Sequence, residues 1–331
     1  MGPHGDGDIE KVESESRRRP ISTVVFVIAM QAEAQPLVNK FGLSETSDSP
    51  LGKGLPWVLY HGLHKDLRIY VVCPGKDAAS GIMFIFTEGI NGAGIDSVGT
   101  VPASLITFAS IQALQPDILI NAGTCGAFKV HYSSFTFSFS LYVLVRMPCL
   151  IIFELASLTR LLNLIQSGHS WNFESHHEIA LSLSLVKGAN IGDVFLVSDV
   201  VFHDRRIPIP MFDLYGVGLR QAFSTPNLLK ELNLKVAQLS TGDSLDMSTQ
   251  DESLIIANDA TLKDMEGAAV AYVAELLKVP VIFLKAVTDL IDGDKPTAEE
   301  FLQNLAVVTS ALEETATKVI NFIHGKTLSD L

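Results

Sequence analysis

The sequence predicts an α/β fold: a mostly parallel twisted sheet with helices on both faces. Three observations carry this. Short β-branched runs alternate with longer stretches of helical period, the runs are apolar enough to be buried strands, and each run ends in small or polar residues. In open α/β sheets a ligand sits at such carboxyl ends, so the ends of the runs are the places to look for chemistry.

Taken in order, residues 1–20 are polar, with "ESESRRRP" where a secretory signal needs an apolar core; they read as a disordered tail. The first strand is "STVVFVIAM", Ser22 to Met30, and "AMQAEA" then places Met30 and Glu33 at a strand-to-helix turn. Further strands are expected over Leu67–Gly75, Asp117–Gly126, Asp193–Val201 and Val281–Asp289. The third runs into "NAGTCGAF", a glycine-rich turn whose backbone N–H groups could approach a ligand closely.

A helix is expected over Thr261–Lys278, which has no internal proline and meets Pro280 just beyond its end. It puts Met265 and Glu266 in a first helical turn. A second, long helix follows Pro296, with Thr297 and Glu300 spaced as a capping box and Phe301, Leu305, Val308 and Leu312 on one face; it reaches Gly325. Two stretches break the rhythm, Gly81–Ala93 and His131–Val186, and the second is longer than a structureless loop inside a compact domain usually runs. The expected organisation is a single domain over 21–331, interrupted by insertions at about 81–93 and 131–186 that loop out at its surface.

A chain of 331 residues can bury a large core. Its 24 Lys and Arg against 37 Asp and Glu leave a net charge of −13, and no basic stripe runs along any expected helix, so a nucleic-acid partner is not expected. Cys73, Cys125 and Cys149 are scattered, with neither a disulfide framework nor the spacing of a zinc site; a reducing, cytoplasmic setting is expected. The most apolar block, Phe135–Leu158, is cut by Arg146, Pro148 and Glu154 and falls short of a membrane-spanning helix, so no membrane partner is expected.

Four places supply polar groups on one edge of the expected sheet: Met30 with Glu33, the turn around Gly123 and Gly126, Met265 with Glu266, and Asp289 closing the last strand. Singly, each has a plain structural explanation. Glu33 and Glu266 suit helix starts electrostatically, the methionines suit a core, Asp289 suits an N-cap, and the glycines suit a tight turn. Jointly they describe a site.

"VIAMQAEA", "INAGTCGAF", "STGDSLDM", "LKDMEGAAVAYVA" and "LKAVTDLIDGDKPTAEEFL", in this order, closely resemble the 5'-methylthioadenosine nucleosidases of the purine nucleoside phosphorylase/hydrolase superfamily, the plant type above all. The resemblance covers nearly everything from Pro20 onward except the two insertions. It implies a three-layer α/β/α sandwich around a mostly parallel or mixed sheet, nucleoside phosphorylase-like, and cleavage of the N-glycosidic bond of methylthioadenosine to adenine and 5-methylthioribose, with S-adenosylhomocysteine as a further candidate substrate. By motif position Asp289 matches the general acid and Glu33 the base that activates water. Glu266 matches the carboxylate that binds the ribose hydroxyls, and Met265 the thioether packed on the sugar. Thr288, Thr124, Cys125 and Gly126 match positions near the acid and in the nucleoside-binding turn, and Phe301 an aromatic over the adenine or the thioether end. Walls for the 5' substituent are Met30, Leu245, Met247, Phe301 and Phe202.

The chemistry agrees with this assignment: acid and base must hold opposite protonation states near neutral pH. Asp289, ending an apolar strand, suits the acid; Glu33, at a more polar turn, suits the base. No cofactor and no metal are required. The family commonly forms homodimers, and "FHDRRIPIPMFDLYGVG", Phe202 to Gly218, has a composition that fits an interface loop and equally a solvated connection. One departure is Ala127, where the family commonly has a second glycine; a position with positive φ would be strained by its methyl group. The alternatives are a phosphorylase, which needs a cationic cradle where the loop "CPGKDAAS" offers only Lys76, and a non-catalytic nucleoside-binding or storage protein disabled by the insertions.

Overall fold

A computed structural model describes residues 19–77, 95–129, 131–139, 179–293 and 296–331. The expected tail lies outside the described residues up to position 18, as does the whole of 81–93, and 131–186 is described only at its two ends. Arg19 and Pro20, the last residues of the expected tail, are held in place: Arg19 pairs with Asp117, and Pro20 forms a β-bridge with Thr327. Contacts divide the chain into two units, Met1–His131 with Lys187–Leu331, and Tyr132–Val186.

The elements in chain order are β1 (Thr23–Val27), α1 (Gln31–Phe41), β2 (Ser44–Glu45), β3 (Val58–His64), β4 (Leu67–Cys73), β5 (Lys76–Asp77), β6 (Ile95–Asp96), α2 (Thr100–Leu114) and β7 (Ile118–Ala127). The paired strands β8 (His131–Phe139) and β9 (Ile179–Lys187) follow. Then come β10 (Val194–Phe202), α3 (Asp213–Val217), β11 (Arg220–Gln221), α4 (Pro226–Leu232), β12 (Lys235–Thr241) and α5 (Thr249–Ala257). The chain closes with β13 (Leu262–Asp264), α6 (Gly267–Leu276), β14 (Val281–Leu290) and α7 (Thr297–Ile323).

The five expected strands are β1, β4, β7, β10 and β14. The sheet around them is mixed rather than nearly parallel. β1 runs parallel to β4 and β7, and β14 parallel to β7, while β3 pairs antiparallel with β4, and β10 antiparallel with β14. Because β14 pairs with both β7 and β10, the strands β10, β12, β13, β7 and β14 close into a ring. β3 and β12 escape sequence reading because exposed and buried residues mix in them without a sustained period.

Alternate side chains of the central strands enter two cores, as the pleat demands. Val24, Phe26, Ile118, Ile120, Ile282 and Leu284 pack with α1 and α7 on one face; Val25, Val27, Leu119 and Phe283 pack with α2 and α6 on the other. Helices thus cover both faces.

Two helix starts differ from expectation. Thr261–Lys278 is not one helix: Leu262–Asp264 is a strand between β12 and β7, and helix begins only at Gly267. Tertiary pairing overrides a helical sequence pattern here. α7 starts without its capping box, because the Glu300 carboxylate instead accepts from the Leu290 N–H at 2.8 Å and ties the helix to the end of β14.

One side chain fixes the start of the sheet. Asp117 Oδ2 accepts from the Ser22 N–H at 2.8 Å, the Ser22 hydroxyl at 2.9 Å and the Thr23 N–H at 3.0 Å, joining Ser22 and the first residue of β1 to the turn before β7. Asp117→Ala leaves these donors without their partner, two of them backbone, and should cost about 1–3 kcal/mol. Calorimetry is expected to show a Tm several degrees lower; an unchanged Tm would rule the stitch out as a stability element.

Candidate active site

The carboxyl ends of β1, β7, β13 and β14 border one cavity of about 260 Å³. At its floor lies an ion pair, Lys285 Nζ to Asp264 Oδ2 at 2.8 Å, with both side chains at most 2% exposed. Asp264 is fully engaged: Oδ1 accepts from the Thr241 hydroxyl at 2.6 Å, and Oδ2 also accepts from the Gly267 N–H at 2.9 Å, capping α6. Burial lowers the pKa of Lys285, but Asp264, Glu266 and Glu33 around it outweigh burial and raise it.

Glu33, in the first turn of α1, is 3% exposed, so the polar turn expected for it is in fact an interior position. Its polarity comes from donors. Oε1 accepts from the Thr124 N–H at 2.7 Å and hydroxyl at 2.6 Å, and Oε2 from the Met30 N–H at 3.2 Å. Burial raises its pKa, and these donors together with Lys285 oppose the rise by stabilising the anion.

Glu266 sits at the N-cap of α6 rather than within a helical turn. It accepts from the Gly99 N–H at 2.8 Å. Burial and the neighbouring Asp264 push its pKa up to about 7, against Lys285 and the Gly99 N–H, with Glu33 adding to the rise.

Asp289 depends on an irregularity. The pairing of β14 with β7 slips between Val287 and Asp289, so the consecutive residues Thr288 and Asp289 both reach the cavity, which strict alternation forbids. The Thr288 hydroxyl donates to Asp289 Oδ1 at 2.8 Å. Burial raises the pKa of Asp289; Thr288 and Lys263 oppose this, and Glu300 reinforces it. A Cβ at residue 126 would come within 2.7 Å of Asp289 Oδ2, so Gly126 is needed for space.

Ala127, by contrast, is an ordinary buried strand residue outside the positive-φ positions, and its methyl group causes no strain. The expected glycine-rich turn is β7 continuing to Ala127.

Met30, Leu245, Met265 and Phe301 supply apolar wall, joined by Met247. Cys125 and Thr124 line the same space. Phe202 does not: it is buried under Arg205, whose guanidinium lies 3.5 Å from its ring centroid. Sequence reasoning missed Asp264, Lys285 and Lys263. Lys263 Nζ donates to the Ser244 and Leu245 carbonyls at 2.7 and 3.0 Å and fixes the loop that carries Leu245. A signal for Lys285 existed, since a lysine inside "VIFLKAVTD" requires a buried partner. Among the described residues no group of three or more His, Cys, Asp or Glu side chains is arranged to hold a metal ion.

The arrangement is suited to acid–base work on a small, partly apolar ligand. Three buried carboxyl groups, Glu33, Glu266 and Asp289, share the cavity; burial raises the pKa of each, and a different set of donors and charges opposes the rise at each.

The family model of the phosphorylase superfamily matches residues 23–142 and 179–321, passing over a stretch within 131–186 and running unbroken across 81–93. The 5'-methylthioadenosine nucleosidase of Arabidopsis thaliana is 68% identical over the whole of both chains. A 5'-methylthioadenosine/S-adenosylhomocysteine nucleosidase of the same organism is 49% identical over 98% of this chain and all of its own. The apo structure of the Arabidopsis 5'-methylthioadenosine nucleosidase superposes with a TM-score of 0.72 at 69% identity, covering 95% of this chain and 100% of that one. Futalosine hydrolase of Helicobacter pylori shares the fold at 16% identity and a TM-score of 0.58, over 91% of this chain and 98% of its own. The chain belongs to the phosphorylase superfamily and, within it, to the family of the 5'-methylthioadenosine nucleosidases.

Proposed function

We propose that this chain hydrolyses the N-glycosidic bond of 5'-methylthioadenosine, releasing adenine and 5-methylthioribose. The observation that carries the reading is the placement of Glu33 and Asp289 on one cavity with different neighbours: burial raises both pKa values, but Glu33 accepts from the Thr124 and Met30 groups, whereas Asp289 accepts from the Thr288 hydroxyl and faces Glu300. Protonated Asp289 delivers its proton to N7 of adenine as the C1'–N9 bond breaks, so the electron pair leaves on a neutral base. Ionised Glu33 takes a proton from the water that bonds to C1'. Glu266 holds the ribose hydroxyls and stabilises the positive charge developing on the sugar. Met265 packs on the sugar, and Leu245, Met247 and Phe301 enclose the 5' substituent.

The phosphorylase alternative draws no support from the described residues of the cavity, whose two lysines are already engaged, Lys285 by Asp264 and Lys263 by carbonyl oxygens. Adenine release should therefore proceed at the same rate with and without phosphate. Asp289→Asn and Glu33→Gln should each lower kcat by about 10²–10⁴-fold. A rate that requires phosphate, or an Asp289→Asn protein as fast as the parent, would refute the assignment.

The pH dependence follows from the same groups. Activity needs Glu33 and Glu266 ionised, and their pKa values are raised, so the rate falls as pH drops, beginning near Glu266's value of about 7. Activity also needs Asp289 protonated, so the rate falls on the alkaline side as that carboxyl ionises. A bell-shaped kcat/KM profile is expected. A profile flat across neutrality would contradict it.

We also infer that the chain works as a homodimer in the cytoplasm. Met211 and Leu214 are 81% and 88% exposed, with Ile209, Phe212 and Tyr215 beside them, an apolar surface that favours coverage by a second copy. Buried Cys73 and Cys125, both without a disulfide, suit a reducing compartment. Sedimentation should give twice the chain mass, and Leu214→Asp should halve it; a monomer at all concentrations would refute the assembly, and fractionation into an oxidising compartment would refute the location.

A further inference from the structure

Hydrogen bonds joined by the Gly99–Thr100 peptide link lead from an exposed loop to the cavity. α2 starts with no acidic side chain in its first turn, although the free N–H groups of a helix start favour one. A carboxylate from elsewhere fills the role. Asp243, in the exposed loop after β12, accepts from the Thr100 N–H through Oδ1 and from the Thr100 hydroxyl through Oδ2, both at 2.6 Å.

One residue earlier, the Gly99 N–H donates to Glu266 Oε1 at 2.8 Å. The loop is anchored in turn, because the Asp243 N–H donates to Asp204 Oδ2 at 2.7 Å. Gly99 has φ +102°, and a Cβ there would stand 2.7 Å from Asp243 Oδ1, so this close approach requires glycine.

We propose that Asp243 is a positioning residue for the ribose end of the site: by clasping Thr100 it aims the Gly99 N–H at Glu266 and so keeps Glu266 able to accept the sugar hydroxyls. The proposal deepens the reading given above and rests on Glu266 as the ribose-binding carboxylate. The same loop carries Leu245 and Met247, so a single clasp joins the wall of the 5' pocket to the carboxylate that holds the sugar.

The groups facing Glu266 make the effect directional. Asp264 from β13 and Glu33 from α1 favour its neutral form, as burial does, whereas Lys285 from β14 and the Gly99 N–H favour its anion. Loss of the N–H therefore raises the pKa of Glu266. Removing the Asp243 charge acts in the opposite sense, since relief of like-charge repulsion lowers a neighbouring carboxyl's pKa. An upward shift thus reports the donor and not the charge.

The test is Asp243→Ala, Asp243→Asn and Asp243→Ala combined with Glu266→Gln, assayed on 5'-methylthioadenosine in full-length protein. Asp243→Ala is expected to raise KM about tenfold with a smaller change in kcat, and to move the acid limb of kcat/KM to higher pH. Asp243→Asn keeps an acceptor for the Thr100 N–H and should recover part of the loss. In the Glu266→Gln background the Asp243→Ala change should add less than about twofold, because the two act as one unit.

An unchanged KM, an acid limb that stays or moves down, or an undiminished penalty in the Glu266→Gln background overturns the proposal. Should the parent protein release no adenine, the hydrolase reading fails by itself. The clasp is then judged by calorimetric binding of 5'-methylthioadenosine, where Asp243→Ala must weaken binding about tenfold or the proposal fails.

Discussion

The buried pair of Lys285 and Asp264 is the interaction on which the site depends. The carboxyl ends of β1 and β13 bring Glu33, Asp264 and Glu266 together in an interior where isolated charges are costly. One lysine offsets them. Such a pair repays its own desolvation only when its remaining hydrogen-bonding capacity is met, and Asp264 meets this condition with the Thr241 hydroxyl and the Gly267 N–H. The Thr241 hydroxyl oxygen also accepts from the Ala268 N–H at 2.9 Å, so the ion pair and the start of α6 form a single unit.

From this constraint the different characters of the carboxylates follow. All are buried, and burial pushes every one of them toward its neutral form. What separates them is the supply of donors. Glu33 has the Thr124 and Met30 groups and stands within reach of Lys285; Asp289 has one hydroxyl, and Glu300 opposes its ionisation. Carboxyl groups of one chemical type thereby meet different surroundings, and the acid–base pair proposed for the sugar–purine link requires such a difference at neutral pH. Gly126 and the slipped pairing at Thr288 are the local adjustments that make room for Asp289.

Much of this was legible along the chain. The five apolar strands, the long last helix and the motif residues that meet at the cavity could be read because burial on both faces of a sheet demands continuous apolar runs, and because polar residues ending such runs are costly without a purpose. The helix over Thr261–Lys278 was misread in its first turn, since a three-residue strand has no period of its own and exists only by pairing with β12 and β7. Phe202 was misplaced for a related reason: the face on which a strand residue lies depends on register, and a shift of one position reverses it.

By itself the sequence determined the α/β class, the family, and which carboxylates are available, because composition, run length and motif order are properties of the chain alone. Tertiary structure decided which donors and charges each of those carboxylates would meet, that Lys285 would pair with Asp264, and that Gly99 would reach Glu266 across more than a hundred and sixty intervening positions. The reason is physical: a pKa is set by the charges, donors and water around a group in space, and for these residues most of those neighbours come from distant strands and helices.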